Sequence, residues 1–200
     1  MRLATLTLLL VLVAGSLPAQ AGETRIATFA GGCFWCVEEA FDQVDGVVST
    51  TSGYTGGDQR NPTYQQVSAG GTGHAEAVKV VYDPQQVDYA TLLQAFWHNI
   101  DPFAENRQFC DVGSQYRSAI FYHDEQQKQL AEQSRDALAK RFDRPIKTQI
   151  VPAGDFWAAE TYHQDYYRKN PIRYHFYKAG CGREARLKEI WGDQAGRPGE

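Results

Sequence analysis

The sequence has no run of basic residues, no long apolar segment past its first few positions, no internal repeat and no low-complexity block, and each absence removes a class of function. Lys and Arg total 20 against 24 Asp and Glu, a formal charge of -4. Without a clustered cationic face, neither nucleic acid nor an anionic membrane is a partner to expect. The one apolar run, Leu3 to Val13 behind Arg2, is too short to cross a bilayer. It reads as a secretory signal peptide cleaved after the small-x-small pattern Ala19-Gln20-Ala21, with an uncleaved anchor as the alternative. Cysteine is also sparse. At this length about 70% of the unfolded surface is buried, so the four cysteines among 200 residues are not needed as staples and their placement can be read as chemistry. What remains is one domain over 22–191, followed by a tail, 192–200, that reads as disordered.

Apolar periodicity gives strands and helices in alternation. Arg25 to Ala30 reads as a strand, Gly31-Gly32 as a tight turn and Val37 to Asp42 as the start of a helix. Val47 to Tyr54, rich in β-branched residues and closed by Gly56-Gly57, reads as a second strand. Ala77 to Tyr82 is apolar at almost every position, which predicts a central strand covered on both faces and ended by Asp83-Pro84. Leu92, Leu93, Phe96 and Trp97 recur at helical spacing between Tyr89 and Asn99, a pattern of core packing. A long polar loop runs from Asp101-Pro102 to about Gly113. Tyr116 to Tyr122 alternates like a strand, Asp124 with Gln127 predicts a capping box for a helix reaching Phe142, and Ile146 to Val151 is a last strand. Beyond Phe156 the chain reads as aromatic and polar loop with short helices. The sum is an α+β single domain with abundant coil.

Chemistry concentrates at Gly31-Gly32-Cys33-Phe34-Trp35-Cys36. Two glycines permit a sharp turn, and a cysteine at a helix N-terminus has its thiol pKa lowered, which favours the nucleophilic thiolate. Cys36, one turn on, is placed to form a disulfide with it. A purely structural bridge is the plainer reading, but a three-residue offset closes too small a loop to stabilise much. Phe34 and Trp35, beside a reactive group, suggest an apolar pocket for a methyl-bearing substrate, with simple packing as the alternative. Glu76, in His74-x-Glu76, stands at the entry of an apolar strand, where burial would raise its pKa and make it an acid near neutrality. An exposed strand-end carboxylate is the bland reading. Tyr64 in Asn61-Pro62-Thr63-Tyr64 and Tyr116 beyond Asp111 offer hydroxyls that can donate to an oxygen gaining charge. A zinc site from Cys33, Cys36, Cys181 and a histidine lacks the second cysteine pair of a zinc ribbon, and His98, His123, His163 and His175 have no metal spacing. No metal is therefore expected.

The sequence resembles the type A peptide methionine sulfoxide reductases from Thr24 to Trp191. The resemblance is carried, in order, by Gly32-Cys33-Phe34-Trp35-Cys36, Gly53-Tyr54-Thr55-Gly56-Gly57, Asn61-Pro62-Thr63-Tyr64, Gly73-His74-Ala75-Glu76-Ala77-Val78, Gln115-Tyr116-Arg117-Ser118 and Tyr162-His163-Gln164-Asp165-Tyr166. It implies a two-layer α/β sandwich with a mixed sheet, and reduction of the S-epimer of methionine sulfoxide, free or in proteins. It further implies Cys33 as nucleophile, Glu76 as acid, Tyr64 and Tyr116 as hydroxyl donors, Asp111 as a polar support, and Phe34 and Trp35 as the methyl-binding pair. No cofactor is implied; the reductant is a thioredoxin-like dithiol. Two departures stand out: many members carry glycine where Cys36 stands, and the threonine often found after Pro102 is Phe103. Cys36 is the preferred resolving cysteine because it is local in the chain. Cys181, between Gly180 and Gly182, is the second candidate, and Cys110 is a structural residue or minor relay. A monomer, exported to the periplasm or secreted, is expected. The competing readings are a thiol-disulfide oxidoreductase using Cys33 and Cys36, and a zinc-stabilised binding module.

Overall fold

The computed structural model describes residues 22–197; the expected signal peptide, 1–21, and the last three residues, 198–200, lie outside them. The chain runs β1 (Arg25–Gly31), α1 (Phe34–Asp42), β2 (Val47–Thr55), α2 (Tyr64–Ser68), β3 (Ala75–Tyr82) and α3 (Tyr89–His98). It continues through β4 (Arg107–Gln108), β5 (Asp111–Val112), β6 (Ser118–Tyr122), α4 (Glu125–Phe142), β7 (Gln149–Pro152) and β8 (Phe156–Ala158). The helices α5 (Tyr166–Lys169), α6 (Pro171–Gly180) and α7 (Arg183–Trp191) close it. Among the described residues no helix is long and apolar enough to cross a membrane.

Six strands form one mixed sheet in the order β7-β6-β1-β3-β2-β8, in which β6 with β7 is the parallel pair. Strand alternation divides its faces. Phe29, Val78, Val80 and Tyr82 belong to the main core, into which α1 and α3 pack Phe41, Leu92, Leu93 and Phe96. Phe29 lies 4.7 Å from Phe41 and 5.1 Å from Phe96, ring centre to ring centre, so α1 is fixed to the sheet by an aromatic stack. Ala30, Ala75, Ala77, Ala119 and Phe121 form a second, thinner cluster. This is the two-layer mixed-sheet architecture that the family resemblance implies.

Several boundaries differ from the sequence reading for local reasons. β3 starts at Ala75, two residues early, so Glu76 at the strand entry is its second residue and is already paired within the sheet. Only half of the expected capping box at α4 forms: Asp124 accepts from Gln127 N–H at 2.7 Å, but the Gln127 side chain accepts from His123 N–H and donates to Ile26 O. The last long strand starts at Gln149, because Lys147 N–H is already bound to Pro102 O. Beyond Phe156 the expected short helices are present, three of them, together with a strand, β8, that the sequence reading lacks; exposed Ile172 and Phe176 on α6 blur its amphipathic pattern. The tail expected to be disordered begins instead with a 3-10 turn, Gly192–Gln194, and Gly196 N–H binds His98 O.

Candidate active site

β1 delivers the chain into Gly31-Gly32, and α1 begins at Phe34 with Cys33 as its N-cap residue. Gly32 has φ +86, and a Cβ there would stand 2.5 Å from Gln108 Cβ, so the turn requires glycine. The Cys33 side chain makes no capping bond; the first free N–H of the helix, Phe34, donates to Glu76 Oε2 at 3.1 Å. Register explains the meeting. Glu76 pairs with Tyr54 across β2 and β3 and alternates with Val78 and Val80, which puts its side chain on the core face under the start of α1.

Cys33, Phe34, Trp35, Tyr64, Glu76, Asp111, Tyr116 and Tyr177 line one cavity of about 60 Å³. Every residue that the sequence put forward as nucleophile, acid, hydroxyl donor, support or methyl-binding residue is therefore brought together. Phe34 is 1% exposed and Trp35 partly buried, rather than both lying open on a turn. Trp35 is held flat against Tyr166 at 3.7 Å, and its Nε1–H donates to His163 Nδ1 at 3.1 Å.

Burial pushes the Glu76 carboxyl up to about 8, with the Asp111 and Cys36 charges adding to it and the Phe34 N–H opposing. At neutral pH this group carries a proton in a wall of the cavity. Burial likewise raises Asp111, against the hydroxyl of Tyr177, which donates to its Oδ2. Tyr64 is raised to about 12 and Tyr116 higher still, both by burial first and by the Glu76 charge, so both hydroxyls stay protonated donors. The thiol expectation is corrected. Burial, Cys36 and Glu76 push Cys33 above an ordinary thiol despite the helix N-terminus, while a hydrogen bond from Cys33 and the Arg183 charge bring Cys36 below it.

The remaining cysteines do not line this cavity. Cys110 and Cys181 are joined by a disulfide, whereas Cys33 and Cys36 are free. Cys181 is thus committed to Cys110 and does not join Cys33 and Cys36 in a zinc site. Among the described residues the one cluster close enough to share an ion is Cys110, Asp111 and Cys181, two of which are bonded to each other.

Four contributors escaped the sequence reading. Glu160 accepts from Tyr54 OH and from Tyr64 N–H, both at 2.9 Å, and so sets the α2 start that carries Tyr64. His163 holds Trp35. Tyr177 links Asp111 to the cysteine turn. Gln164 straps this segment to the sheet through Ser52 N–H and O. His163 and Gln164 lie in a motif the resemblance quoted without a role; Tyr177 was one of eleven tyrosines with nothing local to mark it.

Comparison with known proteins agrees with this geometry. The family model described as peptide methionine sulfoxide reductase matches residues 25–195. The peptide methionine sulfoxide reductase MsrA of Bacillus subtilis is 50% identical over 172 residues, which cover 85% of this chain and 97% of that protein. Among solved structures, Mxr1 from Saccharomyces cerevisiae in reduced form superposes with a TM-score of 0.71 at 31% identity, covering 74% of this chain and 86% of that one. Methionine sulfoxide reductase A of Corynebacterium diphtheriae gives 0.69 at 39% identity, over 79% and 80% of the two chains.

Proposed function

Since the chain belongs to the peptide methionine sulfoxide reductase family, we propose that it reduces the S-epimer of methionine sulfoxide, free or in proteins, to methionine. The observation that carries the assignment of roles is the protonated Glu76 in the same small cavity as Cys33. A sulfoxide sulfur accepts a nucleophile only when its oxygen is protonated or strongly hydrogen-bonded, so a thiolate alone is insufficient. The substrate methyl enters between Phe34 and Trp35, and its oxygen takes hydrogen bonds from Tyr64 and Tyr116. With methyl and oxygen both assigned, only one epimer presents its sulfur to Cys33.

Cys33 gives up its thiol proton to Cys36, and the Cys33 thiolate attacks sulfur while Glu76 protonates the oxygen. The oxygen passes to Cys33 as a sulfenic acid and methionine leaves. Cys36 then attacks Cys33, forming a disulfide and releasing water. Exchange with the Cys181 thiolate, followed by closure of Cys110 onto Cys181, returns the inner dithiol and leaves the bond at Cys110 and Cys181. A thioredoxin-like dithiol supplies the two electrons that reopen it. No metal or organic cofactor enters this scheme. A thiol-disulfide oxidoreductase reading is disfavoured by the burial of both Cys33 and Cys36.

Export to the periplasm or outside the cell, as a monomer free of the membrane after cleavage, belongs to the same reading; it is supported by Arg2, the Leu3 to Val13 run and Ala19-Gln20-Ala21. An epimer-resolved assay with methionine sulfoxide and dithiothreitol tests the activity. The S-epimer alone is consumed, and Cys33→Ser abolishes turnover with the fold intact; consumption by that variant above background would end the mechanism.

A further inference from the structure

Arg183, 4% exposed, is the second residue after Cys181 and opens α7. A guanidinium taken out of water needs its donors satisfied and its charge balanced. Two of its five N–H donors have carbonyl partners: Nη1 binds Asn99 O at 2.7 Å and Nη2 binds Gly31 O at 3.3 Å, and the group lies 4.2 Å from the centre of the Phe109 ring. The charge is not balanced by any of the salt bridges among the described residues. Its neighbour Arg186 takes both Asp101 and Glu189. Glu39, which lines a cavity of about 370 Å³ together with Cys36 and Arg183, is held by Lys178 at 2.6 Å and by Tyr174 OH. Asp111 accepts from the Tyr177 hydroxyl and feels the Arg183 charge without an ion pair to it.

The guanidinium presses directly on the cysteine turn. Besides holding Gly31 O, Nη2 is 3.8 Å from where a Cβ on Gly32 would stand. We propose that Arg183 is the counter-cation of the Cys33 and Cys36 dithiol, a positioning residue that stabilises the Cys36 thiolate as Cys36 gives up its proton and closes the first disulfide. This rests on the reductase reading and goes beyond it, because it assigns the choice of resolving cysteine to a buried cation on α7. The groups facing the dithiol are Glu76 from β3, Tyr174, Tyr177 and Lys178 from α6, and Arg183 from α7, with Asp111 beyond Tyr177. Of the two cations, Lys178 is already paired with Glu39. In the step served, the Cys36 sulfur bonds to Cys33, the Cys33 sulfur-oxygen bond breaks, and the departing hydroxide takes a proton and leaves as water, so no outside oxidant is needed.

The test is the thiolate absorbance of Cys36 as a function of pH in Cys33→Ser, with Cys110 and Cys181 left oxidised so that they are silent. In this background the Cys33 hydrogen bond is gone and burial opposes the charge, so the midpoint is read relative to Arg183: adding Arg183→Lys leaves it in place, and adding Arg183→Gln raises it by about one unit or more, a tenfold loss of thiolate below the midpoint. In the four-cysteine chain, Arg183→Gln slows first-disulfide formation about tenfold after a single turnover, prolongs the trappable sulfenic acid, and recovers at high pH, which a merely structural defect does not do. A Cys36 midpoint that Arg183→Gln leaves in place overturns the proposal, and where that variant fails to fold Arg183→Met is titrated in its stead with the same two outcomes. The titration contains no sulfoxide, so its outcome is separate from the success or failure of the reductase assay.

Discussion

The two cysteine pairs of this chain sit in opposite environments. Cys33 and Cys36 are 6% and 4% exposed and free, enclosed by α1, β3, α6 and α7. Cys110 is exposed and bonded to a partly buried Cys181, at the edge of the β4-β5 hairpin and the end of α6. The inner pair is surrounded by groups that control protons: Glu76, Tyr64, Tyr116 and Arg183. The outer pair has the accessibility that exchange with another protein requires. Burial suits a thiol that must be charged at one step and protonated at another; exposure suits one that must be touched by a dithiol. The comparison assigns substrate chemistry to the inside and electron entry to the surface.

Removing the proton source breaks the inner half of that assignment most severely. Glu76→Gln lowers the single-turnover reductive rate by about 10²- to 10⁴-fold, because an amide cannot protonate the sulfoxide oxygen. In the unmodified chain the acid form is present below a pKa of about 8 and lost above it, so the rate falls as pH rises through that value. The variant lacks this limb. Weakened binding with an unchanged single-turnover rate would instead make Glu76 a binding residue.

The outer half is tested by Cys110→Ser with Cys181→Ser. One methionine per chain is still released in a single turnover, while steady-state turnover driven by a thioredoxin-like protein falls about tenfold or more. Loss of the single turnover would move these cysteines into the chemistry itself. The smallest effects are those of Tyr64→Phe and Tyr116→Phe. Each removes one neutral hydrogen bond, about 0.5–1.5 kcal/mol, and because either hydroxyl can hold the oxygen, the double variant loses more rate than either single one.

Much of this was legible in the residues. The glycine turn, the apolar β3 and the start of α2 follow from local rules, and those elements carry Cys33, Glu76 and Tyr64. What local rules miss is charge set by distant neighbours. A cysteine at a helix N-terminus reads as activated, yet burial first, then Cys36 and Glu76, the latter 43 positions away in sequence, reverse the direction at Cys33. The same holds for Cys110, whose pairing with Cys181 spans 71 residues. The scaffold of Glu160, His163 and Gln164 was hidden because its bonds run to β2, α1 and α2, over a hundred residues back in two cases.

The division of labour between the pairs is tested most directly by mapping the first disulfide. The fully reduced protein is oxidised with one equivalent of methionine sulfoxide in the absence of reductant, quenched at intervals, and read by peptide mass analysis. The first bond joins Cys33 to Cys36, and the Cys110 to Cys181 bond appears later at its expense. A Cys33 to Cys181 bond forming first, with Cys36 still a free thiol, would contradict the account.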